Sequence, residues 1–269
     1  MILNVLWWWG GAEKAYPSWR DGLRAALEYI AKDHDVIYQM GEQPPQDVGD
    51  FTLIWGDSTC PAIDLVRPFK GRKGIILTTW PHDIQNLKKL DVVFCESGPI
   101  YNEVRRHGLH AVKAFGTDSD FFVPDPKVRK SIEIFYPATF SPWKRQEIIA
   151  PMFKNKLWCI GTLQPDGQEQ LDACHRNGVH VEIGYFPVEK IRKYYQKSRR
   201  VVIPADHGSE RTVLEAMSCG IVPEVLNIDN RAYSYLQEYR YSECESPREF
   251  IEKYYSGEKY GKTLLQYML

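Results

Sequence analysis

The sequence predicts an α/β protein made of two domains, each with a parallel sheet covered by helices. Short apolar runs alternate with amphipathic stretches along all 269 residues. Strands that are apolar throughout and separated by helices are typical of parallel sheets buried on both faces. A polar segment with two prolines, GTDSDFFVPDPKVRKS (116–131), has the composition of a linker. We therefore expect two domains, over 1–120 and 121–269, with a ligand cleft between them.

The expected strands follow one another in both halves. The first half contains ILNVLWWW, DVIYQM, FTLIWG, KGIILTTW, DVVFCES and HAVKAFG, and the second contains SIEIFYPA, KLWCIGT, VHVEIG, RRVVIPA and GIVPEVL. The helical stretches between them include SWRDGLRAALEYIAKD, PIYNEVRRHG, QEQLDACHRNG, VEKIRKYYQKS and SERTVLEAMSCG. Each half therefore has enough alternating units for its own doubly wound sheet.

Composition and charge exclude several classes of protein. The 34 Lys and Arg residues nearly balance the 35 Asp and Glu residues, so the bulk charge predicts no obligatory polyanionic partner, although a local basic face stays open. Six scattered cysteines without CxxC or Cys/His spacing predict reduced thiols and no metal site. The start, MILNVLWWWGG, has no basic n-region and is too short to span a bilayer. We expect a cytoplasmic protein without signal peptide or transmembrane segment, and peripheral association with a membrane or nucleic acid stays open.

A glycine pair follows the first strand. In WWWGGAEKAY, Gly10 and Gly11 precede a charged helical stretch. Glycines let a backbone approach a ligand closely, and N–H groups that lead into a helix favour a phosphate. A tight turn that uses glycine only for its backbone freedom is the alternative.

A second candidate is the strand, loop and helix of RRVVIPADHGSERTVLEAMSCGIVPEV (199–225). Gly208 lies in the loop, Ser209 is a candidate N-cap, and the helix is expected to end near Cys219 before Gly220. Val213, Leu214 and Met217 are expected to face the core. Glu215 is a candidate functional residue, and the alternative is a solvent-side pair with Arg211, worth about 0.2–0.5 kcal/mol.

Two further stretches place polar residues after expected strands. In YPATFSPWKRQE (136–147), Lys144 and Arg145 stand beside Ser141 and Trp143, and two such cations suit a diphosphate. A solvated helix start is the alternative. In TTWPHDIQ, His82 and Asp83 follow a strand, where an imidazole could bind a substrate hydroxyl; a surface histidine is the alternative.

Taken in order, these segments resemble the retaining, nucleotide-sugar-dependent GT-B glycosyltransferases of the large family often numbered four. The segment GGAEK (10–14) is similar to the family's GGAER loop, and His82–Asp83 to its histidine-aspartate step. The segment VVFCESGPIYNEVRRHGL (92–109) is similar to its strand, serine-containing turn and helix, here with Ser97. GTDSDFFVP (116–124) resembles the interdomain NGVDTERFRP, ERTVLEAMSCGIVP resembles the LEAMACGxPV helix, and Lys144 falls at the lysine of GRLSPEKG.

The resemblance implies the GT-B fold, two Rossmann-like domains facing a cleft, with a nucleotide-sugar donor in the C-terminal domain. It implies that Lys144 neutralises the diphosphate, that Glu215 holds the ribose hydroxyls and that His82 contacts the donor sugar. Metal is not expected to be required, because fixed cations and helix N-termini supply the electrostatic stabilisation. The other expected donor-binding residues are Gly10, Gly11, Ser141, Arg145, His207, Gly208, Ser209, Glu210, Arg211 and Thr212.

The sequence departs from the family pattern at two donor positions. Thr139 stands where the family has the arginine of GRL, so one phosphate cation is missing unless Arg145 replaces it. His207 stands where the family has the first glutamate of its paired-glutamate motif, with Asp206 and Glu210 nearby. Donor binding is therefore better supported than turnover.

The expected reaction transfers a hexose-type sugar from a UDP- or GDP-sugar to an acceptor hydroxyl with retention. The acceptor stays open between a glycan, a lipid-linked carrier and a hydroxymethylated base of phage-type DNA, and a non-catalytic nucleotide- or sugar-binding module is the alternative function. Aromatic residues around the glycine loop suggest an acceptor platform, with a strand core as the alternative for the tryptophans: Trp7, Trp8, Trp9, Tyr16 and Trp19. The spacing of Lys14, Arg20 and Arg24 predicts one basic helix face, for an anionic acceptor or simply solvated.

Overall fold

The computed structural model describes residues 1–7, 20–40 and 49–269. The chain divides into a first unit, 1–118 with 255–269, and a second unit, 119–254. The division after Asp118 lies two residues from the expected boundary. The expectation that the second domain continues to residue 269 is corrected, because the last fifteen residues pack in the first unit.

The first unit contains a six-stranded parallel sheet in the order β2-β1-β3-β4-β5-β6. Its strands are β1 (Ile2–Trp7), β2 (Asp35–Met40), β3 (Phe51–Gly56), β4 (Arg72–Leu77), β5 (Val92–Cys95) and β6 (Ala111–Lys113). Its first four described helices are α1 (Gly22–Ile30), α2 (Ala62–Leu65), α3 (Ile84–Leu87) and α4 (Gly98–Arg106). Neighbouring β1 residues enter two separate apolar clusters, Val5 with Leu27 of α1 and Leu6 with Ile63 of α2. Because alternate strand residues point to opposite faces, the uniformly apolar strands bury both faces of the sheet.

The second unit contains a five-stranded parallel sheet in the order β11-β10-β7-β8-β9. Its strands are β7 (Ile132–Pro137), β8 (Leu157–Gly161), β9 (His180–Ile183), β10 (Ser198–Ile203) and β11 (Glu224–Val225). Its helices are α5 (Gln146–Phe153), α6 (Gln168–Arg176), α7 (Val188–Lys197), α8 (Glu210–Ser218), α9 (Tyr233–Arg240) and α10 (Pro247–Phe250). The neighbours β7 and β10 continue to opposite sides of the sheet, so the loops after them flank a topological switch point, where such sheets bind ligands.

The C-terminal helix α11 (Gly257–Met268) returns to the first unit and packs on α1. A Cβ atom added at Gly257 would lie 2.4 Å from Cβ of Ala25, and one at Gly261 would lie 2.8 Å from Cδ1 of Tyr29. The two glycines therefore allow a close approach of the helices that larger residues would prevent. This packing explains why the C-terminal segment belongs to the first unit.

The six cysteines are free thiols, five of them buried. Burial raises the pKa of Cys60 and of Cys95 to about 12, which makes these thiols unreactive packing groups near neutral pH. None of the helices in the described part of the chain has the length and apolarity needed to cross a membrane.

Candidate functional site

The loops after β7 and β10 join at the carboxyl end of the second sheet. The N–H of Asp206 donates to the carbonyl oxygen of Trp143 at 2.9 Å. Arg145 donates to both carboxylate oxygens of Asp206, and the Trp143 and His207 rings stack with centroids 5.9 Å apart. A backbone hydrogen bond, an ion pair and a ring contact therefore fix the position of the two loops relative to each other.

Lys144 lies where these loops meet helix α8. Its ammonium Nζ donates to Oγ of Ser209 at 3.1 Å. A Cβ added at Gly208 would lie 3.0 Å from the same Nζ, so the glycine leaves room for the ammonium. The buried Tyr136 hydroxyl donates to the carbonyl oxygen of Lys144 at 3.1 Å, and burial raises the pKa of Tyr136, so the phenol keeps its proton. The sheet thus fixes the Lys144 backbone while its ammonium reaches the start of α8.

The turn into α8 has an unusual backbone. Gly208 and Ser209 both have φ of 75°, in the left-handed region. Ser209 occupies the N-cap position, but its side chain makes no capping hydrogen bond. The first N–H groups of a helix have no acceptor within it, and the helix dipole adds partial positive charge there. The N-terminus of α8 and the Lys144 ammonium together form an arrangement suited to an anion such as a phosphate.

Helix α8 buries its inner face, including the predicted core residues Val213, Leu214 and Met217. Glu215 is only 5% exposed. One of its oxygens accepts from Nε of Arg211 and the other from the Tyr195 hydroxyl at 3.2 Å. The Arg211–Glu215 pair is present, but its carboxylate is buried and not on the solvent side. A half-exposed guanidinium and a buried phenol therefore orient this carboxylate.

A second buried carboxylate follows Ser209. Glu210 is 3% exposed, and its Oε1 lies 2.9 Å from Nε of Arg231, which is itself largely buried. Sequence reasoning missed Arg231, because its segment, LNIDNRAYSYL, has no recognisable motif. The pair forms only because the turn before α9 packs against the start of α8. Around the predicted cations, the site therefore also contains Arg231 and the carboxylates of Glu210 and Glu215.

His207 lies near the charged side chains of this site, which together with burial favour the neutral imidazole over the imidazolium. Burial lowers its pKa below the ordinary value, and the charges of Lys144 and Arg231 lower it further, against the opposite effect of Glu210 and Asp206. The imidazole stacks on Trp143 on one side and is otherwise exposed to solvent. At neutral pH it can therefore both donate and accept hydrogen bonds.

The remaining predicted site residues that the structure describes lie each in its own unit. Ser141 is fully buried beneath the loop, with no partner for its Oγ in the part of the chain that the structure describes. His82 is exposed in the first unit, just before Asp83, whose carboxylate caps α3. Thr212 lies half-buried in the first turn of α8. Gly10 and Gly11 lie outside the described residues.

Arg145, the predicted replacement for the missing arginine at Thr139, is held by two carboxylates. Its Nε donates to Glu147 at 2.7 Å, and its Nη1 donates to Asp206. These two carboxylates balance its charge. The Thr139 hydroxyl donates to the carbonyl oxygen of Thr162 at 2.8 Å and so links the ends of β7 and β8. Of the two adjacent cations, Lys144 is therefore the one directed at α8.

The aromatic platform and the basic helix face are only partly within the described residues. Trp7 is 4% exposed and packs on Trp55 with ring centroids 4.0 Å apart, so it is a core residue and not part of an acceptor platform. Arg20 binds Asp118 at 2.9 Å, and Arg24 binds Glu28 at 2.8 Å. The expected basic face is therefore corrected, since acidic partners balance both arginines. The remaining residues of these two predictions lie outside the described part: Trp8, Trp9, Lys14, Tyr16 and Trp19.

The described residues contain no cluster of side chains suited to bind a metal ion. Within 1–7, 20–40 and 49–269, no group of three His, Cys, Asp or Glu side chains is placed to hold a metal ion. The expectation that no metal is required stays a prediction.

No protein-family model matches the sequence, and no curated protein matches it. Solved structures do match its fold. An E. coli trehalose-6-phosphate protein bound with UDP-2-fluoro glucose has a TM-score of 0.66 at 11% identity, with 100% of this chain and 99% of that chain covered. The DNA-modifying enzyme β-glucosyltransferase, studied with and without uridine diphosphoglucose, has a TM-score of 0.56 at 10% identity, covering 98% and 89%.

A larger protein matches over part of its length. The pneumococcal O-GlcNAc transferase GtfA, in complex with UDP and GlcNAc, has a TM-score of 0.54 at 10% identity, and the match covers 81% of this chain. This chain spans 56% of the length of GtfA. At sequence identities of 10 to 11%, these matches show a similarity of fold alone. The chain has the GT-B fold, with two Rossmann-like parallel-sheet units, as the sequence predicts.

Proposed function

We propose that this protein is a glycosyltransferase that moves a hexose-type sugar from a UDP- or GDP-sugar to an acceptor hydroxyl. One observation carries the proposal: the Lys144 ammonium lies 3.1 Å from Ser209 Oγ at the N-terminus of α8, beside a glycine that leaves room for it. A fixed cation and a helix N-terminus together suit a nucleotide diphosphate. The GT-B fold supports the same assignment.

In this proposal the second unit stabilises the leaving group. The bond between the anomeric carbon and the diphosphate oxygen breaks, and negative charge grows on that oxygen. Lys144 and the first N–H groups of α8 stabilise this charge, an effect that is larger in the transition state than in the bound donor. The acceptor oxygen forms the new bond to the anomeric carbon, and its proton leaves with the departing diphosphate. Retention of anomeric configuration is part of the proposal, and NMR of the product tests it.

Glu215 is the proposed ribose ligand. An ionised carboxylate accepts several hydrogen bonds, so a side chain that Arg211 and Tyr195 hold in place is chemically suited to accept from sugar hydroxyls as well. Those two donors also fix the carboxylate in one orientation. A preoriented acceptor loses less entropy when it binds a ribose.

Thermal shift and calorimetry with UDP, GDP, ADP, TDP and CMP sugars test the proposal. A ligand that binds only the folded state raises its apparent stability. We expect a shift with the UDP or GDP series that Lys144→Ala removes. Lys193→Ala, which removes an exposed lysine of α7, is the matched control and should keep the shift. Absence of a shift with every donor, or an equal shift in Lys144→Ala, would contradict the proposal.

A hydroxymethylated DNA base is a second candidate acceptor, favoured by the likeness to the DNA-modifying β-glucosyltransferase. Radiolabelled donor and a panel of a neutral disaccharide, a lipid-linked carrier and a hydroxymethylcytosine duplex distinguish the acceptors. Label that enters only the duplex supports this candidate. Label that enters the other acceptors and leaves the duplex unmodified excludes it.

A nucleotide-binding module without turnover is the alternative function. It is favoured by the neutralised Arg145 and by His207 at the expected glutamate position. Release of free UDP or GDP from the bound donor, lost in Lys144→Ala and kept in Lys193→Ala, would exclude it. Tight donor binding without hydrolysis or transfer would support it.

A further inference from the structure

Positive charge is concentrated at the amino-terminal edge of the second sheet, away from the donor loops. Three segments reach this edge, KVRKS (127–131) before β7, KNK (154–156) before β8 and KSRR (197–200) at the start of β10. Eight of these twelve residues are Lys or Arg, and none is acidic. Together the three segments are called the basic edge.

The three segments are joined in space. The N–H of Ser131 donates to the carbonyl oxygen of Lys197 at 3.0 Å, and Arg199 donates to the carbonyl oxygen of Lys130. The Arg200 guanidinium lies 5.4 Å from the ring centroid of Phe153, directly before the second segment. Because β10, β7 and β8 are neighbouring parallel strands, their starts form one continuous surface.

Few carboxylates balance this charge. Arg199 pairs with Glu133 at 3.3 Å and Arg200 with Glu224 at 2.7 Å. Within the described ranges, Arg129, Lys154 and Lys156 have no acidic partner within 4 Å. Burial lowers the pKa of Lys130, and the nearby Arg199 charge lowers it further, although Cys219 acts in the opposite direction. Most of the positive charge of the basic edge therefore has no nearby carboxylate among the described residues.

The corresponding edge of the first sheet differs. There, two cations, Arg72 and Lys73, are accompanied by two carboxylates, Asp50 and Asp91. Asp50 accepts a hydrogen bond from the N–H of Ile2, and Asp91 accepts one from the N–H of Lys73. Opposite charges are therefore mixed at that edge. The asymmetry between two sheets of similar architecture shows that the basic edge does not follow from the fold alone.

We propose that the basic edge binds the phosphate backbone of double-stranded nucleic acid. A duplex carries one negative charge per about 1.7 Å of its axis, and three neighbouring strands, spaced about 4.8 Å apart, present cations to several phosphates at once. Arginine forks suit phosphate oxygens. None of the twelve residues of the basic edge is a large exposed hydrophobic residue. Because membrane-surface binding usually buries apolar side chains, this composition disfavours insertion into a membrane surface.

The basic edge lies a strand length, about 20 Å, from the donor loops of the same sheet. The basic edge would therefore bind the phosphate backbone of the nucleic acid without recognising the base sequence. Nucleic acid bound there would not contact Lys144. Nucleic-acid binding at the basic edge does not require sugar transfer. Binding to the basic edge and binding of a nucleotide sugar can fail independently of each other.

Fluorescence anisotropy with a labelled 20-base-pair DNA duplex tests the proposal on the full chain. For the wild type we expect the dissociation constant to rise steeply between 50 and 200 mM salt. The triple variant Lys127→Gln/Arg129→Gln/Lys156→Gln removes three exposed cations of the edge and should weaken binding at least about tenfold, with a logarithmic salt slope shallower by about 2 to 3.

The matched control removes the same charge elsewhere. Arg67→Gln/Lys70→Gln/Lys88→Gln neutralises three exposed cations of the first unit and should change duplex affinity less than about twofold. Melting curves verify that both triple variants remain folded. Equal weakening in both variants, no duplex binding by the wild type at 50 mM salt, or binding only to phosphatidylserine vesicles would overturn the proposal.

Discussion

Arg145 donates to both carboxylate oxygens of Asp206, at 2.8 and 2.9 Å, and so links the loop after β7 to the loop after β10. The same arginine has a left-handed backbone, with φ of 57°, directly before α5. Its neighbour Lys144 is directed at α8. The pair therefore anchors the loop that carries the lysine.

Breaking this pair should affect ligand affinity more than stability. Both side chains are over one-third exposed, so a double-mutant cycle with Arg145→Ala and Asp206→Ala should give a coupling free energy of about 1 kcal/mol or less in urea unfolding. Each single variant should weaken nucleotide-diphosphate binding several-fold in calorimetry, because the Lys144 loop loses its anchor. Unchanged affinity in both would mean that the ion pair has no positioning role.

Gly208→Ala should disturb both the backbone and the ammonium. A side chain at φ of 75° is strained, and its Cβ would lie 3.0 Å from Lys144 Nζ. Thermal unfolding should show a loss of about 1–2 kcal/mol together with weaker nucleotide binding.

Gly178→Ala is the control for Gly208→Ala. Its φ is 67°, and nothing lies within 4 Å of an added Cβ. It should have a similar stability loss and unchanged nucleotide affinity. If both variants bind nucleotide equally well, the space beside Lys144 is not needed by the ligand.

Glu215→Ala should destabilise the second unit. The change leaves the buried Tyr195 hydroxyl without its acceptor and removes the partner of Arg211, so we expect a loss of about 2 kcal/mol in urea unfolding. Glu189→Ala on the exposed start of α7 should cost at most about 1 kcal/mol.

Affinity separates a ribose-binding role for Glu215 from a purely structural one. Glu215→Gln keeps an acceptor for Tyr195 and should restore much of the stability. If it binds the donor as tightly as the wild type does, the ionised carboxylate is not required for binding. A large loss of affinity in this folded variant would support the ribose contact.

The alternation of apolar runs and helices was sufficient to predict the fold, because it depends on burial along each element. The inward face of α8, with Val213, Leu214 and Met217, follows from local periodicity in the same way. Arg231 on Glu210, and α11 on α1, could not be predicted, because each depends on segments far apart in sequence. The basic edge was not recognisable either, since each of its three segments alone resembles a solvated loop.

Nucleotide binding should be coupled to the protonation of His207. Burial, and then the charges of Lys144 and Arg231, lower its pKa, so the folded protein holds the imidazole neutral where the unfolded chain begins to protonate it, near pH 6.5. The unfolded state therefore binds more protons just below that pH, and the folded state loses stability as the pH falls from about 7 toward 5.

A diphosphate bound at the proposed site should reverse this effect. Negative charge beside Lys144 favours the imidazolium, so nucleotide binding should take up a fraction of a proton near pH 6 and become tighter as the pH falls. Calorimetry in two buffers of different ionisation enthalpy measures the proton uptake. His207→Gln should remove the uptake and flatten the fall in stability below pH 7. Equal proton uptake in wild type and His207→Gln would place the titrating group elsewhere, on the diphosphate itself.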